Sequence, residues 1–97
     1  MAYAPGPSPG TPGRLVLDPA SSYGALLHEM QHLRDDHAAG WAGMRGWFAD
    51  NDIRYENEVR AYQQEIRYAE SIGDDASVDV LYQRIRKEYA DIYGERP

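Results

Sequence analysis

Apolar positions recur at helical spacing in three stretches of the chain. The last is the plainest. Val78, Leu81, Tyr82, Ile85, Tyr89, Ile92 and Tyr93 keep one side of a helix expected to run from near Ser77 to Gly94. A second helix is expected from near Asn51 or Asp52 to Gly73, with Tyr55, Val59, Tyr62, Ile66 and Ala69 gathered on one side. A first should start near Ser21 or Ser22, either a good N-cap, and run to about Ala39, where Gly40 is a plausible stop. Residues 40–49 (GWAGMRGWFA) combine glycine with aromatics and read as a loop. Residues 14–17 (RLVL) are a short apolar run and a candidate strand, closed by an Asp18-Pro19 turn. Residues 1–13 (MAYAPGPSPGTPG) have no apolar period and are expected to be a linker or disordered arm. No internal repeat is visible. The expected fold is mainly α, with three helices and at most one short N-terminal strand. The arm spans 1–13 and the domain 14–97.

The first helix carries the chemistry. His28 and His32 are four residues apart, one helical turn, so both imidazoles share a face and can share a metal ion. Glu29 lies about 100° around the helix from His28, where it can reach water on a metal without ligating the metal. With His28 at 0°, His32 falls at about 40°, while Leu26, Met30 and Leu33 fall at about 140° to 200°, with Tyr23 beside them. This wheel predicts that the apolar stripe packs on the core and the histidines face a cleft. Gly24 and Ala25, one turn earlier, leave room above that face.

A catalytic zinc site commonly has three protein ligands and a water. His37 is a poor third ligand, because a continued helix turns it to the core side. Asp35 shares the histidine face but stands about 10.5 Å along the axis from His28. It fits better as an acceptor for the N–H of His32, fixing that ring's tautomer, or as a solvated acid. The second helix offers Glu56, Glu58 and Glu65. Glu58 and Glu65 border the buried stripe, where a carboxylate needs a partner or a metal, and Glu56 faces solvent. Glu58 is the favoured ligand and Glu65 the alternative. Ala61, one turn after Glu58, would let two helices approach closely.

Composition narrows the classes. The chain has 97 residues, enough for one domain, with 16 acidic and 10 basic residues and a formal net charge of −6. That balance argues against nucleic acid as a partner, which calls for clustered Lys and Arg. There is no cysteine, hence no disulfide and no thiolate zinc site. No run of 18 apolar residues suggests a membrane span, and residues 1–13 lack the charged and apolar blocks of a signal peptide.

HEMQH at 28–32, followed by Asn57-Glu58-Val59-Arg60-Ala61, resembles the zincin metallopeptidases in their gluzincin arrangement, in which a later helix supplies a Glu. The resemblance covers about residues 14–70. It implies Zn²⁺ held by His28, His32 and Glu58, Glu29 as general base, a protein or peptide substrate, and a minimal zincin-like fold. A second electrophile should steady the oxyanion; Tyr62 is the best of several weak candidates, beside its simpler reading as a core tyrosine. Trp41, Trp47 and Phe48 either line a substrate pocket or close the core. The run HEMQHLRDD followed by ENEVRAY also looks like the short zincin-like domains at the C-termini of bacterial polymorphic toxins. That likeness implies an immunity or delivery partner, and secretion or delivery as part of a larger protein. One departure stands out. Zincins place several strands before the HExxH helix, and their edge strand pairs with extended substrate. Two other classes compete: a non-catalytic metal-binding module and a helical protein-interaction module.

Overall fold

The computed structural model describes residues 2–16 and 22–94. Its elements are β1 (Ala2–Ala4), β2 (Arg14–Val16), α1 (Tyr23–Ala38), α2 (Gly43–Trp47), α3 (Asn51–Ser71) and α4 (Asp75–Tyr93). The protein is mainly α, as the periodicity predicts. Leu17, the Asp18-Pro19 turn and Ser21 lie outside the described residues. Among the described residues, no helix is long and apolar enough to cross a membrane.

Local chemistry explains the helix ends. Ser22 caps α1 by accepting from the Ala25 N–H. Asp50 caps α3 through the N–H groups of Asp52 and Ile53, and Asp74 caps α4 through that of Ser77. α3 starts at Asn51 as expected, whereas α4 starts at Asp75, ahead of Ser77, because Asp74 reaches the free N–H groups first. Gly40, Gly73 and Gly94 follow α1, α3 and α4 with positive φ.

The main helix pair is α1 on α3, and α4 also packs on α3. Tyr62, Ile66, Ala69 and Leu81 form the apolar cluster between α3 and α4, with Val78 and Ile85 against it. Tyr82 and Tyr93, expected on the packed side of the last helix, are exposed.

Three expectations are corrected. Residues 40–49 are not all loop: Gly43–Trp47 form the one-turn α2. The helix count is therefore four. The N-terminal strand has a partner, since β1 pairs antiparallel with β2 in the register Ala2↔Val16, Tyr3↔Leu15, Ala4↔Arg14. Residues 2–13 are thus not a linker or disordered arm. They carry β1 and a loop tied to the helical body by Gly10 N–H to Trp41 O (2.7 Å) and Met44 N–H to Gly6 O (2.7 Å). The glycines that read as flexibility serve close approach instead. A Cβ on Gly13 would fall 1.8 Å from the Tyr3 hydroxyl oxygen, and one on Gly43 (φ +78°) 2.8 Å from Pro9 N.

The third correction concerns the wheel. The histidine face of α1, not the opposite one, packs on α3. Gly24, His28, His32 and Asp36 are the buried residues of α1, whereas Leu26, Met30 and Leu33 are only half-buried. The reason lies on α3. Glu58 and Glu65 meet the histidines, and that contact requires the polar faces of the two helices to oppose each other. Ala61, fully buried, permits the approach.

Candidate metal centre

Helical spacing puts His28 and His32 one turn apart on α1, and α3 carries Glu58 across from both. His28 Nε2 lies 3.4 Å from Glu58 Oε2, and His32 Nε2 lies 3.1 Å from Glu58 Oε1. One donor atom from each of the three residues falls within 4.8 Å of the others. Ligands held at zinc's bond lengths of about 2.0–2.2 Å in a tetrahedron stand roughly 3.4 Å apart, so the set fits a single ion. Both histidines are nearly buried, at 8% and 5% exposure, and Glu58 is half-buried. A dry, two-sided donor set of this kind suits a metal and, without one, requires ion pairing.

The pairing shows in the titration of the metal-free groups. Burial alone would lower the His28 pKa, but Glu58 and Glu65 outweigh it and raise the pKa to about 9. Burial likewise works to raise the Glu58 pKa, and the two histidines outweigh it, bringing it down to about 2. In the metal-free protein Glu58 is therefore a carboxylate bridging two imidazoles.

Glu65, the alternative ligand, stands on the far side of the His28 ring. Its Oε1 is 2.7 Å from Nδ1, although the contact falls outside hydrogen-bond alignment. It is placed to orient His28 rather than to bind the same ion. His32 Nδ1 is buried with no hydrogen-bond partner among the described residues. Asp35 does not supply one. It accepts from Arg60 at 3.2 Å and Gln31 at 3.1 Å, so the orienting role expected of it is corrected. The longer Arg60 side chain reaches across from α3 and holds Asp35 at the rim.

Tyr62 also takes a different place. Its ring meets the His28 ring edge-on at 4.4 Å, and its hydroxyl donates to Glu88 on α4 at 3.4 Å. Burial, followed by the charges of Glu88, Glu58 and Glu65, holds the phenol well above its ordinary pKa. Tyr62 is a packing residue that backs His28, and its hydroxyl is directed at α4. Of the three aromatics considered for a pocket, Trp47 approaches the site, with its ring 5.7 Å from that of His32. Trp41 stacks edge-on with His37, and Phe48 is exposed beneath the Arg54 guanidinium.

Glu29 is half-buried next to His28 and outside the donor group. Its Oε2 accepts the backbone N–H of Tyr3 at 2.8 Å. The Tyr3 hydroxyl donates to Asp36, which has no exposed surface and also accepts the Ala42 N–H at 2.9 Å. Burial and the Asp36 carboxylate push the Tyr3 hydroxyl pKa up. Sequence reasoning missed Asp36 and Tyr3. Asp36 was within reach, being one turn beyond His32 on the same face. Tyr3 carried no signal, since 33 residues separate it from Asp36. No protein-family model, curated protein or solved structure matches this chain.

Proposed function

We propose that this protein is a zinc-dependent peptidase of the zincin type, with His28, His32 and Glu58 as ligands and Glu29 as general base. The observation that carries the proposal is the convergence of three donor atoms from two facing helices, with Glu29 adjacent but outside the set. His28, His32 and Glu58 would hold the zinc, which would supply a Lewis acid for the scissile carbonyl and a bound water with a pKa of about 7. Glu29 accepts the proton of the attacking water and returns it to the departing amine. Glu65 orients the His28 ring so that Nε2 faces the ion. Tyr62 and Trp47, packed on the two imidazoles, keep them from swinging out.

A structural zinc site would need a fourth protein donor. Among the described residues, Asp35 is committed to Arg60 and Gln31, and Glu65 stands at the wrong ring nitrogen. Three donors leave a position for water, which favours the catalytic reading over a non-catalytic metal-binding module.

Metal analysis and a casein digest test this. Purified protein should bind one zinc, and His28→Ala should lose it. Glu29→Gln should keep the zinc while casein cleavage falls by about 10²-fold or more. Zinc far below stoichiometry, or unchanged in His28→Ala, would overturn the metal reading. Undiminished cleavage by Glu29→Gln would remove Glu29 from its role.

A further inference from the structure

The base of the proposed reaction has a partner that the HExxH pattern does not contain. Tyr3 is the middle residue of β1, opposite Leu15. In an antiparallel pair, successive residues turn their N–H groups alternately into the ladder and away from it. The Tyr3 N–H points away from β2 and ends on Glu29 Oε2, 2.8 Å distant. Two other contacts hold that donor in place. The Tyr3 hydroxyl is anchored on buried Asp36, and the Tyr3 ring lies edge-on to Trp47 at 5.6 Å. Glu29 and Asp36 are seven residues apart, two turns of α1, so both face the hairpin.

We infer that Tyr3 is a positioning residue for Glu29: its backbone N–H holds the carboxylate in a fixed orientation, and Asp36 fixes Tyr3. The inference rests on the peptidase reading of Glu29. A glutamate on a helix surface has several rotamers, whereas a base must stand within hydrogen-bond distance of the proton it takes. A donor built into a paired strand cannot swing away as a side chain can. The bond to a carboxylate is charge-assisted and therefore strong. It engages Oε2 alone. Oε1 has no hydrogen bond within the protein among the described residues, which leaves it to receive the proton. The short hairpin, otherwise a marginal element, thus completes the active site. The competing explanation is that Glu29 merely satisfies an unpaired edge N–H.

A single-atom change separates the two. In a synthetic full-length chain, the Ala2–Tyr3 amide is replaced by an ester, which removes the N–H and keeps the Tyr3 side chain. The probe is acetohydroxamic acid bound to the cobalt(II)-loaded protein, followed by visible absorption, because a hydroxamic acid chelates a metal as its anion and gives up a proton, for which Glu29 is the proposed acceptor. The ester should leave cobalt affinity within about twofold and weaken acetohydroxamate binding about tenfold, in line with other partners that orient a site from behind. In a Glu29→Gln background the ester should add no further loss. Unchanged acetohydroxamate affinity in the ester chain, or an equal loss in the Glu29→Gln background, would overturn the positioning role. Amide exchange supplies a second measurement on ordinary recombinant protein. Glu29→Ala should deprotect the Tyr3 amide and spare those of Ala2 and Ala4; equal protection of Tyr3 would also overturn it. Failure of the peptidase reading looks different: the unaltered chain would bind no cobalt, or Glu29→Gln would bind acetohydroxamate as tightly as the parent.

Discussion

α3 meets α4 through Ile66, Ala69 and Leu81, with Val78 and Ile85 against them, and meets α1 where His28 and His32 face Glu58 and Glu65. The first interface draws mainly on apolar burial, worth about 25 cal/mol per Å², with the Tyr62–Glu88 contact as its ionisable edge. The second places ionisable groups in a nearly closed seam, where each must find an opposite charge or a metal. A domain of 97 residues has little core to spare, yet one of its two main helix contacts is polar. The α3–α4 pair thus supplies apolar burial, and the α1–α3 pair makes stability depend on the ionisation of its buried groups.

Changes placed on the two sides should fail in different ways. The largest effect belongs to His32→Ala, which should weaken zinc binding more than about 100-fold, the upper end of what loss of an orienting partner costs. Calorimetric titration measures it. A variant that still binds zinc as tightly as the parent would break the contrast. Ile66→Ala on the apolar side should cost about 2–5 kcal/mol in urea unfolding and leave zinc stoichiometry at one in the folded fraction. If it also removes zinc from the folded protein, the two interfaces are not separable.

The polar seam should respond to pH through His28 and Glu58. The His28 pKa rises from 6.5 to about 9 on folding, so its stabilisation is complete below about 6.5 and is lost as pH climbs through 9. The Glu58 pKa falls from 4.5 to about 2, so its stabilisation is present above about 4.5 and is lost as pH falls through 2. Metal-free protein should therefore be most stable between about pH 4.5 and 6.5, as far as these groups decide. In the proposed site zinc would have to displace the His28 proton, so its affinity should climb by about tenfold per pH unit over 6.5–9, while metal-free stability declines. Urea midpoints with chelator, set against zinc titrations at the same pH values, measure the opposing trends. Parallel trends would sink the idea that His28 is shared between Glu58 and the ion. The smallest effect is at the rim. Arg60→Ala breaks the half-exposed pair with Asp35 and should cost about 1 kcal/mol, without changing zinc affinity.

The helices were legible because their signals are local: period, caps and stop glycines lie within a few residues of one another. The Glu58 choice was legible for a similar reason, since a carboxylate at the edge of a buried stripe is conspicuous. The orientation of α1 was not. A wheel takes the apolar side as the inside, and here the half-buried Leu26, Met30 and Leu33 lose that place to histidines whose partners sit on another helix. Asp35 and Asp36 make the same point. Adjacent acids on one turn went to opposite fates, one to Arg60 at the rim and the other to Tyr3 and Ala42 in the interior.

By itself the sequence determined a mainly α domain, the turn-spaced pair His28 and His32 with Glu29 between them, and a later helix that carries Glu58 at the edge of its apolar stripe. Backbone geometry at short range specifies all of these. Only the tertiary structure decided that the histidine face is buried, that Glu65 stands behind His28, and that residues 2–16 fold back as a hairpin whose Tyr3 N–H reaches Glu29. Those contacts join residues 26 to 37 positions apart. Their partners are chosen by packing and by the need to pair buried charge, which no local pattern encodes.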